Sequence, residues 1–339
     1  MNPTTTTMPP TTKTSRYTIL DREGFRFKSL LARWETLLAV LLVLVFAGNA
    51  IVQPNFLDLY NLLDGTTNFS EKALIALPMA LLIICREIDI SVAGTLALSS
   101  VAMGLAKAAG MPDWTLPLAA LGTGTACGFL NGLLVTRFAL PSIVVTIGTV
   151  SLFRGLASVV LGDKAFTGYP QMMADWGQGY FFGIVPREFV VLLVFAALFA
   201  VVLHTTVWGR RIYAIGNNPE AARFSGIAVD RYRLELFMLT GTMAGLAAFL
   251  LTGRIGSTRP NIATGWELEV ITMVILGGVS IAGGAGTIGG VLLAVLTMGT
   301  LTYGMAMANI PGIYVTILVG VLLLVTIAVP RLLRRKSGK

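Results

Sequence analysis

Long apolar runs recur along this chain, and their number decides what it can fold into. They fall at about Leu37–Val52, Ala73–Cys85, Ser91–Ala106, Leu116–Val135 and Ile143–Leu161. A second set falls at Phe189–Trp208, Leu236–Leu251, Val270–Ala282, Ile288–Ala308 and Ile313–Val329. The runs are continuous rather than alternating, which suits helices and not the strands of a membrane barrel. A spanning helix takes about 20 residues, so ten of them with short connections use most of the 339 residues. Charge supports this reading. Only 12% of residues are charged, against about 25% in a soluble domain, too few to cover a water-facing surface of this size. The expectation is an all-α, polytopic membrane protein of about ten transmembrane helices.

The basic residues set an orientation through the positive-inside rule. With the N-terminus in the cytoplasm, 18 of the 25 Lys and Arg residues fall on the cytoplasmic side and 6 outside, with Arg154 alone inside the fifth run. Both termini are therefore expected in the cytoplasm. Residues 1–33, rich in Thr and Pro and then basic, read as a disordered cytoplasmic tail. The rival is a signal peptide, for which Gly48-Asn49-Ala50 offers small residues. Residues 34–330 would form the transmembrane domain, in halves at about 34–162 and 189–330, and 331–339 a second basic tail. The +8 net charge is then a topology signal and gives no reason to expect nucleic acid. Cys85 and Cys127 lie in apolar runs and read as small buried hydrophobes. His204 is the one histidine, and no Cys/His cluster has metal-ligand spacing, so no metal site is expected.

The chain also repeats itself. Pro141-Ser-Ile143-Val-Val145-Thr146-Ile147 and Pro311-Gly-Ile313-Tyr-Val315-Thr316-Ile317 both fit P-x-I-x-V-T-I, and Glu87-Ile-Asp89-Ile90 matches Glu267-Leu-Glu269-Val270 in pattern. The matches fall in helices three and five of each half, which suggests a 5 + 5 repeat. Five is odd, so the halves would insert with opposite orientation, a plan typical of transporters.

The basic cytoplasmic segment 209–233 carries turn residues at Asn217 and Asn218. Pro219 suits a first helical turn, and Glu220 to Phe224 can form a short helix stopped by Ser225-Gly226. On physics alone it is either a solvated loop or a docking helix. The segment resembles the coupling segment of sugar-type ABC importer permeases, the ribose, galactose and autoinducer-2 class. Gly216-Asn217, Ala221-Ala222 and Ser225-Gly226-Ile227 match G-N-x-x-A-A-x-x-S-G-I. Glu87-Ile-Asp89-Ile-Ser91-Val similarly resembles G-I-D-L-S-V-G, with Glu87 in place of the first Gly and Ala93 in place of the last. Leu276-Gly-Gly278 and Gly283 to Gly290 match as well, and the resemblance runs from Trp34 to Arg335. Finer stretches, among them Phe69-Ser-Glu-Lys72, Leu152-Phe-Arg-Gly155 and Gly256-Ser-Thr-Arg-Pro260, look like one of the two permeases of rhamnose or autoinducer-2 importers.

The resemblance implies a permease subunit of the bacterial inner membrane, working by alternating access. Its partners would be ABC ATPase subunits, a second permease subunit (a heterodimer, with a homodimer as the alternative), a periplasmic sugar-binding protein and membrane lipid. Rhamnose is the expected cargo and autoinducer-2 the alternative. The sequence holds no G-x-x-x-x-G-K-[ST] phosphate loop, so ATP and magnesium belong to partner subunits and no cofactor or catalytic residue is expected here. Asn217, Asn218, Pro219, Glu220, Ala221, Ala222, Arg223, Ser225, Gly226 and Ile227 would meet the ATPase. Candidates for the pathway or its gates are Glu87, Asp89, Ser91, Asn131, Arg154, Glu267 and Glu269, since embedded polar groups default to function. The alternatives are helix-terminal charges for the acids, interhelical hydrogen bonding for Asn131, and an ion pair with a carboxylate for Arg154. Trp176, Tyr180, Phe181 and Phe182 read as an interfacial aromatic belt. An ion-driven secondary transporter, a channel and a membrane scaffold are the rival classes.

Overall fold

The computed structural model describes residues 34–162 and 164–337. The tail expected over 1–33 and the last two residues of the C-terminal tail lie outside the described residues. The chain is mostly helical, and each apolar run lies at least in part on a helix. In order these are α1 (Trp34–Val52), α2 (Leu59–Asp64), α3 (Thr67–Ile84), α4 (Val92–Ala108), α5 (Thr115–Arg137) and α6 (Ser142–Leu161). After a short α7 (Gln171–Gly177) come α8 (Arg187–Thr205), α9 (Val207–Asn217), α10 (Pro219–Phe224), α11 (Val229–Ile255), α12 (Trp266–Leu276), α13 (Ile288–Met307) and α14 (Gly312–Ser337). Two small antiparallel pairs fasten one end: β1 (Phe166–Thr167) with β4 (Ser257–Thr258), and β2 (Tyr180–Phe181) with β3 (Val185–Pro186).

Seven helical segments among the described residues are long and apolar enough to cross a membrane, α2 and α3 counting together as one. Two of the ten expected spans fall short of that length, α4 with 17 residues and α12 with 11. α14 has 26 residues, of which Gly312–Thr326 form an apolar stretch. The run read as Val270–Ala282 stops being helical at Leu276 because Gly277 and Gly278 end it, Gly278 with φ +85°. Residues 277–287 then return as irregular backbone. A second difference concerns 209–233. Most of it is helical rather than loop, since Gly209, Ile212, Ile215 and Gly216 share one buried face of α9 while Arg210 and Arg211 face outward. The two P-x-I-x-V-T-I segments occupy equivalent places, each Pro just ahead of α6 or α14.

α3 is the axis of the fold. Every residue from Ala73 to Ile84 is buried, as expected of a helix that is apolar all round. α11, the 27-residue helix, packs against α3, α4, α5 and α7. α1 lies at the edge, held by Trp34 Nε1 donating to Leu276 O at 2.7 Å and Asn49 Nδ2 to Thr300 O at 2.9 Å.

The tightest helix pair is α5 with α11. Gly124 and Gly128 face Gly241 and Gly245 at four-residue spacing, and a Cβ at Gly124 or Gly241 would overlap the carbonyl oxygen of the other. Small residues at this spacing let membrane helices meet backbone to backbone. Gly241→Leu should therefore force the pair apart, at a cost of about 1–3 kcal/mol or more. We expect a lower unfolding temperature and loss of monodisperse protein in detergent. Gly122→Leu, also on α5 but with open space around it, should match wild type. Equal behaviour of the two variants in a thermal unfolding assay would contradict this packing role.

Candidate functional site

The polar side chains collect at two ends of the bundle, Glu71 and Ile84 of α3 being about 20 Å apart at ~1.5 Å per residue. Among the described residues, Arg86, Arg223 and Arg233 lie at one end and Lys72 and Arg254 at the other.

At the first end, α9 is capped by Thr206, whose side chain accepts from Gly209 N. Asn218 caps α10 by accepting from Glu220 N and Ala221 N, with Pro219 in its first turn. Gly226 (φ +79°) closes α10 as Gly226 N donates to Arg223 O and Ile227 N to Ala222 O. The short helix expected from Glu220 to Phe224 is thus present. Ala222 alone of its side chains is buried, and Phe224 stands 93% exposed at its tip. Arg223 pairs with Asp230 at the start of α11.

Behind α10 three backbone segments touch. Gly284 N donates to Ile84 O at 2.9 Å, and a Cβ at Gly216 would overlap both Ile84 O and Gly284 N. Arg86, with φ +68°, donates from Nε to Gly216 O at 2.6 Å and from Nη2 to Asn217 O at 2.7 Å. Tyr213 Oη donates to Gly286 O at 2.7 Å.

Glu87, Asp89, Ser91 and Asn131 lie directly inward of this junction. Glu87 pairs with Arg233 of α11 at 3.0 Å. Burial pushes the Glu87 carboxyl above the usual range, and the Arg233 guanidinium pulls it part of the way back. Asp89 Oδ1 accepts from Ser91 N at 2.8 Å and Ser91 Oγ at 2.6 Å, while Asn131 Nδ2 donates to Ser91 Oγ at 2.7 Å. The three residues are 1%, 0% and 0% exposed. Asp89 accordingly holds the entrance of α4, and Asn131 ties α5 to it.

Glu267 and Glu269 sit at the opposite end, in the first turn of α12. Glu269 pairs with Lys72 of α3, which also lies over the Trp266 ring at 5.0 Å. The two acidic pairs therefore do not converge at mid-bundle. Arg154 differs from expectation too. It donates to Pro260 O and Ile262 O at 3.2 Å each and to Thr264 Oγ1 at 3.0 Å. No carboxylate lies within ion-pair distance of it among the described residues, because the 259–264 turn presents its carbonyls to α6.

Several groups at this end were not singled out from sequence. Arg254 Nε lies 2.7 Å from Glu71 Oε1 and 3.9 Å from Glu188 Oε2, the two acids being 0% and 1% exposed. Tyr180 donates to Asp64 Oδ1 at 2.5 Å, and burial first, then this carboxylate and the neighbouring Tyr60, push its phenol up. Phe182 is 96% exposed. Asp64, Thr67, Asn68, Gln178, Tyr180 and Arg254 line a polar cavity of about 330 Å³. Glu71 and Arg254 stand at helix ends, where a charge count sees only topology. Their pairing follows from α3 and α11 meeting, which no local pattern encodes.

Comparison with known proteins adds the following. A profile of the family described as "Branched-chain amino acid transport system / permease component" matches residues 61–327. The autoinducer 2 import system permease protein LsrD of Escherichia coli (strain K12) is 35% identical over 303 residues, covering 87% of this chain and 91% of the relative. LsrD of Shigella flexneri shares the same identity and coverage. Among solved structures, a metal-chelate type ABC transporter in an inward-facing conformation matches with a TM-score of 0.51 and 18% identity. It covers 87% of this chain and 98% of that one, a likeness of fold.

The Asp89 cluster sets a pH dependence. Burial, opposed by the hydrogen bonds of Ser91 and Asn131, pushes Asp89 up to about 6 from an ordinary 3.8. A folded-state value above the unfolded one favours the folded chain at low pH, and that contribution is lost as pH rises from about 4 to 6. The loss is on the order of 3 kcal/mol. Asp89→Asn keeps the acceptor for Ser91 and removes the titration. Its unfolding temperature in detergent should be flatter than wild type between pH 4 and 7; an unchanged slope would exclude Asp89 as the cause.

Proposed function

We propose a function on one premise: the chain belongs to the family of branched-chain amino acid transport system permease components. It is a membrane transport subunit, and we read it as the permease of an ATP-driven importer for a sugar-type substrate. The observation that carries this reading is the α9–α10 segment. A six-residue helix is firmly capped at both ends and presents Phe224, Glu220 and Arg223 outward. It also rests, through Gly216 and Arg86, on the buried end of α3. An exposed aromatic at the tip of a rigid short helix suits docking onto a separate ATPase, which would supply ATP and magnesium. Asn217 to Ile227 would make that contact.

The finer topology is part of this proposal: ten spans in a 5 + 5 inverted repeat, both ends in the cytoplasm, in a bacterial inner membrane. The basic residues gathered around α9 and α10 support that sidedness. The shortness of α12 fits a discontinuous span, since irregular backbone within a membrane protein is tolerated where protein buries it. A second permease subunit would cover the exposed apolar faces of α6 and α14, where Ile143, Val144, Ile147, Ile313 and Ile317 are exposed. A periplasmic binding protein would deliver cargo to the end bearing Arg254 and Glu269.

For the cargo, similarity to the autoinducer 2 permeases reverses the order read from sequence and puts autoinducer-2 ahead of rhamnose. The family description names amino acids and these relatives a different substrate, so membership alone does not fix the cargo. Of the gate candidates, Glu267 and Glu269 are the better placed for cargo contact, because Asp89, Ser91 and Asn131 are sealed within the chain.

Two measurements test this. In a strain carrying the complete importer, Phe224→Asp or Glu220→Arg should reduce uptake at least tenfold while leaving membrane expression unchanged. Normal uptake in both would remove the docking assignment. Uptake of labelled autoinducer-2 and rhamnose by the reconstituted complex should require ATP and its ATPase partner. Uptake by this chain alone, collapsed by an ionophore and indifferent to ATP, would favour a secondary transporter instead.

A further inference from the structure

We propose that Arg86 is the positioning residue that transmits movement of the α9–α10 segment to α3. This inference rests on the docking role proposed for that segment and adds the connection through which docking would act on the bundle. Four observations carry it.

Arg86 takes a left-handed backbone conformation, φ +68°, which side-chain-bearing residues avoid and which persists only where the surroundings enforce it. The consequence here is an aimed guanidinium. Its Nε and Nη2 reach Gly216 O at 2.6 Å and Asn217 O at 2.7 Å, the last carbonyls of α9. Carbonyls at a helix C-terminus lack helical partners and carry partial negative charge, so a forked cation holds them at two points. Among the described residues no carboxylate lies within ion-pair distance of Arg86, and its side chain's polar contacts there are these two carbonyls.

The same seam has no slack. Gly284 N bonds Ile84 O, and Gly216 lies so close to both that a Cβ would overlap them. α9 and the end of α3 therefore meet backbone to backbone.

α3 can also respond. Pro78 interrupts it midway, and proline leaves the carbonyl four residues earlier without its helical partner, permitting a bend. The half beyond Pro78 ends at Arg86. The half before it is pinned by Glu71 to Arg254 and by Lys72 to Glu269. A displacement of α9 and α10 would swing the inner half of α3 about Pro78 while the other end stays anchored.

Finally, the seam contains its own probe. Cys85, between Ile84 and Arg86, is 0% exposed and its Sγ faces Ile212 O of α9 at 3.8 Å. It gains access to solvent only if α3 and α9 part.

The experiment uses the complete importer in liposomes: this chain, its permease and ATPase partners and its binding protein. It measures uptake of labelled autoinducer-2 and rhamnose per ATP hydrolysed, and maleimide labelling of Cys85 located by mass spectrometry. In the wild type, Cys85 should stay unlabelled with and without ATP turnover. In Arg86→Gln, uptake per ATP should fall at least tenfold and Cys85 should label at least tenfold faster during turnover. Arg86→Lys keeps the charge but cannot fork to two carbonyls, and should lose coupling severalfold. A purely structural role would lower assembled complex and both activities together, leaving their ratio unchanged. That outcome, or a wild-type ratio with protected Cys85 in Arg86→Gln, would overturn the proposal. If Arg86→Gln fails to assemble, a wild-type ratio in Arg86→Lys does the same. A wild-type complex that moves neither sugar with ATP overturns the importer reading itself, and this proposal with it.

Discussion

Direct contact between backbones is the constraint on which the rest of this structure depends. Lipid gives helices no hydrophobic reason to associate, so they must be held by close packing and by hydrogen bonds. Here glycines remove the side chains that would keep axes apart. Gly124 and Gly128 meet Gly241 and Gly245 where α5 crosses α11, and Gly216 meets Ile84 and Gly284 where α9 reaches α3. The first contact seats α11 in the bundle, and α11 in turn covers α3, α4 and α7. The second joins the peripheral helices to the axis. α3 is consequently enclosed from Ala73 to Ile84, and like α11 it touches both polar ends.

Those ends are built differently. The end around α9 and α10 is bound mainly through carbonyls, with Arg86, Tyr213 and Gly284 as donors, and with one inward ion pair between Glu87 and Arg233. The other end combines ion pairs with carbonyl contacts such as those of Arg154. Glu71 and Glu188 share Arg254, and Glu269 holds Lys72. Buried ion pairs contribute little net stability, since desolvation offsets the attraction, but breaking one leaves an uncompensated charge. Such contacts define an arrangement rather than strengthen it, which suits an end that has to open and reclose in the proposed cycle. The hydrogen-bonded seam suits the end that would receive force.

The sealed acids show why a polar residue in a membrane protein is weak evidence of cargo contact. Asp89, Ser91 and Asn131 form one hydrogen-bonded chain at the start of α4, and Arg154 organises the carbonyls of the 259–264 turn. Both arrangements use charge to hold backbone in place. Glu267 and Glu269 differ because they stand half-buried at a bundle end beside irregular backbone. Family membership gives the class of work, and these placements narrow which side chains could meet the cargo.

Much of this was legible in the sequence. The apolar runs located the helices, because a segment that buries itself in lipid must be continuously apolar and satisfy its own backbone. Asn218, Pro219 and Gly226 foretold α10, because caps and left-handed turns depend on a few adjacent residues. The charge asymmetry put Arg86 and Arg233 in one group and Lys72 and Arg254 in the other, and the bundle keeps these apart. What the sequence could not convey was contact between distant segments. Arg254 with Glu71, Arg86 with the end of α9, and Arg154 with carbonyls instead of a carboxylate all depend on which helices become neighbours. Local chemistry writes the helices and their ends. Only the packed bundle decides which charge faces which carbonyl, because in a dry interior each polar group takes the partner that tertiary geometry brings within reach.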